Sequence, residues 1–225
     1  MAGTVTRSGC IGSLGALIIA AVLMSAGHPR GVIMAAAGGL ATSDVEAIIS
    51  QGVAAANTTA SADGLRSSPG NKRATKMVIA VVARDGKLLK VYAQPDAWVG
   101  SQDIAIAKAR TAAFFSSDEN ALTSRIIGVL SQAHNPDGSG GAGPLWGIGN
   151  SNQIGITGSQ EFRNGLITFP GGVPLYRGGL VGGVGVSGDA VDQDEAVAFA
   201  AAVGFAPGAG VVTLGMTPPV VPPFP

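Results

Sequence analysis

Two pairs of short β-forming runs, each joined by a tight turn, leave few folds open to this chain. In the first pair, residues 77–82 (MVIAVV) and 88–93 (LLKVYA) are rich in aliphatic and β-branched side chains. Asp85-Gly86 lies between them and supplies the positive φ that a tight hairpin turn requires. This spacing predicts a β-hairpin.

The second pair, residues 173–177 and 180–186, meets at Gly178-Gly179. Consecutive hairpins favour an antiparallel sheet with helices packed on it over a doubly wound parallel sheet. The letters of residues 183–188 (GVGVSG) match a dinucleotide-binding fingerprint, but the chain then runs into a proline-rich terminus instead of a further parallel strand with an acidic residue. We therefore assign these glycines to close packing within the sheet or against another subunit.

Four segments have helical periodicity. Ser43 and Glu46 have the spacing of a capping box, and apolar residues recur on one face behind them, which predicts a helix over 43–56. Ser101 is the expected N-cap of a second helix, which runs to Phe115. We further expect a short helix at about 121–130 and a closing helix over 192–203.

Two connections stand out by composition. Residues 57–76 are polar and rich in Ser, Gly and Thr, which is typical of a mobile loop. Residues 133–165 form a long glycine-rich insert, and loops of such length in a compact domain tend to be either functional or disordered.

Both ends of the chain fall outside the predicted domain, which we place at residues 38–210. Residues 1–37 have the pattern of an export signal, and their apolar run, 11–26, is shorter than the ~20 residues of a membrane helix. We therefore expect a secreted or periplasmic protein with no stable membrane insertion after removal of the leader. The proline-rich residues 211–225 predict an extended tail, either disordered or docked on a partner.

Composition removes several classes of function. Lys plus Arg and Asp plus Glu both total 14, so the net charge is zero and no broad field attracts nucleic acid or an anionic membrane. The one cysteine, Cys10, lies in the predicted leader, so the domain has no disulfide, thiolate nucleophile or cysteine-ligated metal. Zinc-ligand spacing, a nucleophile elbow and paired-carboxylate motifs are also absent from the sequence, which favours a binding protein over an enzyme.

Three stretches carry a likeness to a known family. They are residues 101–115 (SQDIAIAKARTAAFF), 169–176 (FPGGVPLY), and 180–189 (LVGGVGVSGD) leading into 192–197 (DQDEAV). In order and spacing the chain resembles the GlcG/HbpS-like family, often called the haem-degrading domain family, over about residues 40–207. The resemblance implies an α+β, profilin-like fold in α/β/α layers, with a five-stranded antiparallel sheet packed between helices. It also implies a homo-oligomer, either a dimer or a larger ring, and haem or a related tetrapyrrole as ligand.

These stretches contain the candidate ligand contacts. Prolines and glycines around Phe169 let the backbone approach a flat or anionic ligand, although a sharp turn into the next strand would use the same residues. Lys108 shares a helix face with Thr111 and needs a ligand carboxylate, an acidic neighbour such as Asp189 or Glu195, or a route to solvent. The candidate contacts are Lys108, Arg110, Thr111, Phe169, Gly171, Gly172 and Pro174.

Side chains that could ligate haem iron are few. His134 and Tyr176 are the candidates, but His134 lies in an Asn-Pro-Asp-Gly turn, which favours a solvated surface histidine over an iron ligand. Asp189, Asp192 and Glu195 are either charges at a turn and helix start or ligands of a hard cation such as calcium.

Three hypotheses follow. The first is a secreted, oligomeric protein that binds haem or a similar tetrapyrrole for sequestration or sensing. The second is an enzyme or accessory protein for a small hydroxy- or oxo-acid, in which Lys108 or Arg110 grips a carboxylate and Asp189 or Glu195 moves a proton. The third is a ring-forming structural protein without a ligand.

Overall fold

The computed structural model describes residues 39–133, 141, 143–146 and 165–224. The expected leader, His134 and most of the glycine-rich insert lie outside these residues. None of the described helices is long and apolar enough to cross a membrane. The described elements are, in chain order, α1 (Thr42–Thr58), β1 (Val78–Ala83), β2 (Leu88–Ala93), α2 (Ser101–Phe115), β3 (Asn120–Leu122), α3 (Ser124–Leu130), β4 (Gly172–Tyr176), β5 (Leu180–Ser187), α4 (Val191–Ala201) and β6 (Val212–Leu214).

The main sheet is antiparallel, with strand order β2-β1-β5-β4. Both predicted hairpins are confirmed, and β1 joins them by pairing with β5. Gly86 and Gly178 have φ values of 82° and 73° at the two turns, a conformation that costs glycine little. In the described residues this sheet has four strands instead of the expected five, because β3 and β6 pair with each other in a separate parallel ladder.

Helices cover both faces of the main sheet, as the predicted α/β/α layers require. Side chains of β1 alternate between the faces: Ile79 and Val81 join the core formed with α1 and α4, whereas Val78 and Ala80 pack against α2. Ile48 of α1 is completely buried in the first of these cores. Each such aliphatic side chain stabilises the fold by about 1.5–3 kcal/mol through removal of apolar surface from water.

Two glycines of β5 allow α2 to lie directly on the sheet. A Cβ atom on Gly183 would stand 2.3 Å from the carbonyl oxygen of Ala109, and one on Gly185 would stand 2.0 Å from that of Ala105. Both separations are far below van der Waals contact, so neither position accepts a side chain. The expected close packing at these glycines is present, and the element they admit is α2 of the same chain, not a neighbouring strand.

The helix starts differ from the predicted ones in detail. Ala41 is the N-cap of α1, and the carboxylate of Asp44 accepts a hydrogen bond from its N–H at 2.9 Å. The capping box of Ser43 and Glu46 is thus wrong; Glu46 forms an ion pair with Lys90 instead. Asp44 thus fills the role expected of Glu46: an acidic side chain in the first turn of the helix accepts a free backbone N–H group there.

Two further predictions of local structure need correction. Gly100, and not Ser101, precedes α2 as its N-cap. The helix expected at about 121–130 is divided into β3 and α3, because Thr123 adopts an extended conformation between them and its hydroxyl accepts the N–H of Ile126.

The proline-rich tail is extended, and it docks on its own chain. The N–H of Phe224 donates to the carbonyl of Thr58 at 2.7 Å, and the N–H of Ala60 donates to that of Pro222 at 3.0 Å. Proline lacks an N–H but keeps its carbonyl, so the tail still accepts hydrogen bonds. Its partner, the segment 57–76, was predicted as a mobile loop but is itself hydrogen-bonded, for example through Thr75, whose hydroxyl donates to Ala56.

The contact between α2 and β5 predicts a strong effect of one methyl group. Gly185→Ala should lower the free energy of unfolding by at least about 2–3 kcal/mol, because backbone atoms of α2 must move to admit the new Cβ. The measurement is urea unfolding followed by circular dichroism. Gly208→Ala is the matched control, since no atom lies within 4 Å of its Cβ position, and it should change stability by less than about 1 kcal/mol. Equal stability of the two variants would contradict the packing described here.

Candidate functional site

Lys108 extends from α2 to the end of β5 and the start of α4. Its ammonium donates to the carbonyl of Val186 at 2.9 Å and to Asp194 Oδ2 at 2.7 Å, and the side chain is only 1% exposed. Burial lowers the pKa of Lys108 and raises that of Asp194 to about 6, while the attraction within the pair opposes both shifts. The acidic partner is therefore Asp194, not Asp189 or Glu195, and Lys108 does not require a ligand carboxylate.

A second ion cluster lies beside this pair. Arg125 donates from Nε to Glu195 at 2.6 Å and pairs through Nη2 with Asp192 at 2.5 Å. Glu195 is 1% exposed, and within the described structure its Oε1 has no hydrogen-bond partner. Burial raises the pKa of Glu195, against the opposing effect of Arg125.

Asp189 anchors the segment 57–76 to the end of β5. Its carboxylate accepts the hydroxyl of Ser61 at 2.5 Å and the N–H of Ala62 at 2.8 Å. Each of the four acids at this end of the sheet is thus engaged by a cation or by the loop. Across the described residues, no three His, Cys, Asp or Glu side chains are arranged to hold a metal ion.

The segment 169–172 is fitted tightly against Lys108. Gly171 has φ 114°, and a Cβ there would lie 3.1 Å from the ammonium of Lys108; a Cβ on Gly172 would lie 2.3 Å from the carbonyl of Lys108. Ser124 fixes the segment to α3, because its hydroxyl accepts the N–H of Gly172 and donates to the carbonyl of Phe169. The glycines serve this packing, and the ring of Phe169 is left 54% exposed.

A pocket of about 220 Å³ opens above the ion pair. We call it the Lys108 pocket. Its rim carries large apolar side chains that remain accessible, namely Trp98 (48% exposed), Phe169 (54%) and Val191 (41%). Its lining residues are Trp98, Ser101, Ile104, Lys108, Phe169, Ser187, Gly188, Asp189, Val191 and Asp194.

Arg110 and Thr111 do not reach this pocket. Arg110 Nε donates to the carbonyl of Gly86 at 3.0 Å, which places the guanidinium at the turn between β1 and β2. The hydroxyl of Thr111 is fully buried; it bonds the carbonyl of Ile167 at 2.8 Å and the N–H of the same residue at 3.1 Å. The structure gives both side chains a place in the packing of α2.

Pro174 and Tyr176 are also remote from the pocket. Both are buried in β4. The hydroxyl of Tyr176 donates to the carbonyl of Ser117 at 2.8 Å, and burial raises its pKa to about 12. His134 lies outside the described residues, so its role stays a prediction. Of the candidate contacts, the structure brings together Lys108, Phe169, Gly171 and Gly172.

Sequence reasoning missed Trp98, the second aromatic residue of the rim besides Phe169. Trp98 and Val99 are an apolar pair directly before the N-cap of α2, and Val99 is 83% exposed. Large apolar side chains in a turn with polar neighbours are the signal that could have indicated an exposed binding surface.

The sequence of this chain is similar to those of known proteins. A family model described as "Haem degrading protein HbpS-like" matches residues 40–203. The corrinoid adenosyltransferase PduO of Citrobacter freundii is 31% identical over 123 residues, which cover 54% of this chain and only 30% of PduO. An uncharacterized 15.0 kDa protein from the dhaT-dhaS intergenic region of the same organism is 30% identical over 123 residues, covering 54% of this chain and 70% of that protein.

Solved structures are similar over most of the chain. The crystal structure of a PduOC:heme complex has a TM-score of 0.51 and 22% identity, covering 75% of this chain and 98% of the other. A crystal structure of HbpS gives a TM-score of 0.45 and 20% identity, covering 73% and 88%. At this identity, the first of these likenesses shows a common fold.

The buried ion pair predicts an asymmetric response to substitution. Lys108→Met should cost about 3–5 kcal/mol of unfolding free energy, because it leaves the Asp194 carboxylate buried without its counter-charge. Lys108→Met with Asp194→Asn should recover at least half of that loss, since an amide oxygen can still accept the N–H of Asp189 and no charge is left uncompensated. Urea unfolding at pH 7 measures both.

The exposed pair of Lys90 and Glu46 provides the control for this cycle. Its side chains are 36% and 54% exposed, so Lys90→Met should cost less than about 1 kcal/mol. If the double variant were as unstable as Lys108→Met alone, loss of packing and not the unpaired charge would explain the effect.

Proposed function

Because this chain belongs to the HbpS-like family, we propose that it binds haem or a closely related tetrapyrrole. The observation that carries the proposal is the exposed apolar rim of the Lys108 pocket, with Trp98 and Phe169 on it. A protein of similar fold, PduOC, has been crystallised as a complex with heme.

The described residues fit the flat, apolar body of such a ligand. Aromatic rings stack on planar apolar molecules, and the rings of Trp98 and Phe169 are about half exposed for such contact. The pocket itself, at about 220 Å³, is smaller than the ~300–1,000 Å³ typical of pockets that enclose a ligand. One edge of a macrocycle would therefore enter the pocket while its faces lie against the rim.

The same residues offer poor axial ligation for haem iron. At the pocket, the uncharged oxygen donors are Ser101 and Ser187, and haem proteins more commonly use His, Cys, Met or Tyr. The hydroxyl of Tyr176 already donates to the carbonyl of Ser117. Ligation of haem iron by His134 in the insert stays a prediction. Bound haem would supply a redox-active iron, and the role of the described residues would be to bind and orient the macrocycle.

A small rim pocket also supports the proposal of an oligomer. A second subunit placed over Trp98 and the 83% exposed Val99 would cover the part of the macrocycle that the pocket leaves open. Export completes the proposal, and it is supported by the signal-like pattern of residues 1–37. Sequestration or sensing of haem outside the cytoplasm is the function that combines these features.

The acid-processing hypothesis has less support from the geometry. Lys108 is neutralised by Asp194, and Arg110 lies under the turn between β1 and β2. Neither cation is therefore available to grip a substrate carboxylate at the pocket.

The haem proposal predicts a saturable titration that depends on the rim. Hemin added to the purified protein should give a Soret shift that saturates at a fixed stoichiometry, and Phe169→Ala or Trp98→Ala should each weaken binding about 5–10-fold through loss of ring contact. Trp146→Ala is the control, because this tryptophan is also exposed (57%) and does not line the pocket. His134→Ala tests the iron ligand through the position of the Soret band.

Two results would count against the proposal. Non-saturable adsorption would mean that no defined site exists. Equal weakening by Trp146→Ala would mean that hemin adsorbs to any exposed aromatic side chain.

A further inference from the structure

A second concave surface lies next to the Lys108 pocket and is charged in a different way. This basic cleft has a volume of about 510 Å³, and four cationic side chains line it: Arg66, Lys72, Arg73 and Lys76. They are four of the 14 Lys and Arg residues of a chain whose net charge is zero. Asp96 is the one acid of the lining.

Of these four cations, only Lys72 forms an ion pair with a described acid. Lys72 pairs with Asp63 at 2.5 Å, but among the described residues no acid forms an ion pair with Arg73 or Lys76. Arg66 donates from Nη2 to the carbonyl of Asp96, yet its Nε is buried and has no hydrogen-bond partner in the described structure. A buried donor left unpaired costs free energy, so the hydrogen bonds of the Arg66 guanidinium are incomplete within the described residues.

Apolar side chains give the cleft a flat wall. Trp98 lines it, with the guanidinium of Arg66 6.0 Å from the centre of its ring, and Phe224 of the C-terminal tail lies in the same lining. Trp98 also lines the Lys108 pocket, so the two surfaces meet at one aromatic ring.

Hydrogen bonds hold the cleft in shape. The hydroxyl of Ser67 accepts the N–H of Arg73 at 2.9 Å, and the hydrogen bond between Phe224 and Thr58 fixes the tail beside the loop. A site whose backbone is already ordered loses less entropy when a ligand binds.

We propose that the basic cleft binds the anionic groups of a flat organic polyanion whose ring system lies against Trp98. Unpaired guanidinium and ammonium groups recognise carboxylate and phosphate oxygens, and Arg does so through paired hydrogen bonds. The propionates of haem are one source of such carboxylates, an identification that rests on the proposed function; a free polycarboxylate is the other.

The test uses an iron-free probe. Coproporphyrin, a planar tetracarboxylate, is titrated into the whole protein and followed by fluorescence anisotropy. Arg73→Gln and Lys76→Gln should each weaken binding roughly 3–10-fold and reduce its dependence on salt, because each removes an attraction that ions screen. Neither substitution breaks an ion pair of the described residues, so the fold should be unchanged by circular dichroism.

Lys87→Gln is the matched control. Lys87 is also exposed and forms no ion pair in the described structure, and it does not line the cleft. It should leave coproporphyrin affinity unchanged. Inorganic pyrophosphate, which has charge but no ring, should compete only weakly.

Several outcomes separate this inference from the haem proposal. Coproporphyrin affinity equal in wild type, Arg73→Gln and Lys76→Gln, or no binding at low salt, overturns the cleft. Pyrophosphate that competes as strongly as coproporphyrin overturns the role of the ring. Hemin binding that Phe169→Ala weakens and the two cleft variants leave intact retains the haem proposal and overturns the cleft as its carboxylate site. Coproporphyrin binding that depends on Arg73 and Lys76, in a protein that does not bind hemin, supports the cleft alone.

Discussion

The close approach of α2 to β5 determines where the candidate site can form. Gly183 and Gly185 leave the helix backbone in contact with the strand, with no side chain between them. This short separation lets the side chain of Lys108, which directly precedes Ala109 on α2, reach the carbonyl of Val186 and the carboxylate of Asp194. The antiparallel pairing of β1 with β5 fixes the strand end at which these groups meet. The pocket is therefore a consequence of how two backbones pack.

The buried ion pair explains why Lys108, although it lies in a family-like stretch, does not need a ligand carboxylate. A charged pair in the interior is tolerated when further hydrogen bonds support it, and here Lys108 also donates to Val186 while Asp194 accepts the N–H of Asp189. Thr111, Gly171 and Gly172 are likewise occupied by internal packing. What remains accessible is the side chain of Phe169, whose backbone carbonyl accepts the hydroxyl of Ser124. These stretches thus build a rigid frame, and the proposed recognition falls to the exposed side chains on the rim of the pocket.

Part of the fold and of the candidate site could be predicted from local sequence chemistry. The hairpin at Asp85-Gly86 followed from turn chemistry confined to a few residues, and the packing role of Gly183 and Gly185 followed from their alternation along one strand. The partner of Lys108 did not, because Asp189, Asp194 and Glu195 differ by where each points at one helix start.

Non-local pairing limited the rest of the prediction. β6 finds β3 across about ninety residues, and the tail finds the segment 57–76 through carbonyl groups that any sequence possesses. The four cations of the basic cleft lie close together in residues 66–76, but its aromatic side chains, Trp98 and Phe224, come from distant segments that only the fold brings there. The net charge of zero was no guide, because it describes the whole molecule and conceals this local cluster.

The turn that carries Trp98 combines an exposed ring with a buried anchor. Gln94 is 5% exposed; its side chain accepts the N–H of Met77 at 2.8 Å and donates to Asn57 at 3.0 Å, which ties the turn to β1 and α1. Asp96 adds a positive φ of 66°, a conformation that most residues avoid and that Asp tolerates better than most. This support fixes the position of the Trp98 ring, as the proposed ligand contacts on its two surfaces require of a preorganised site.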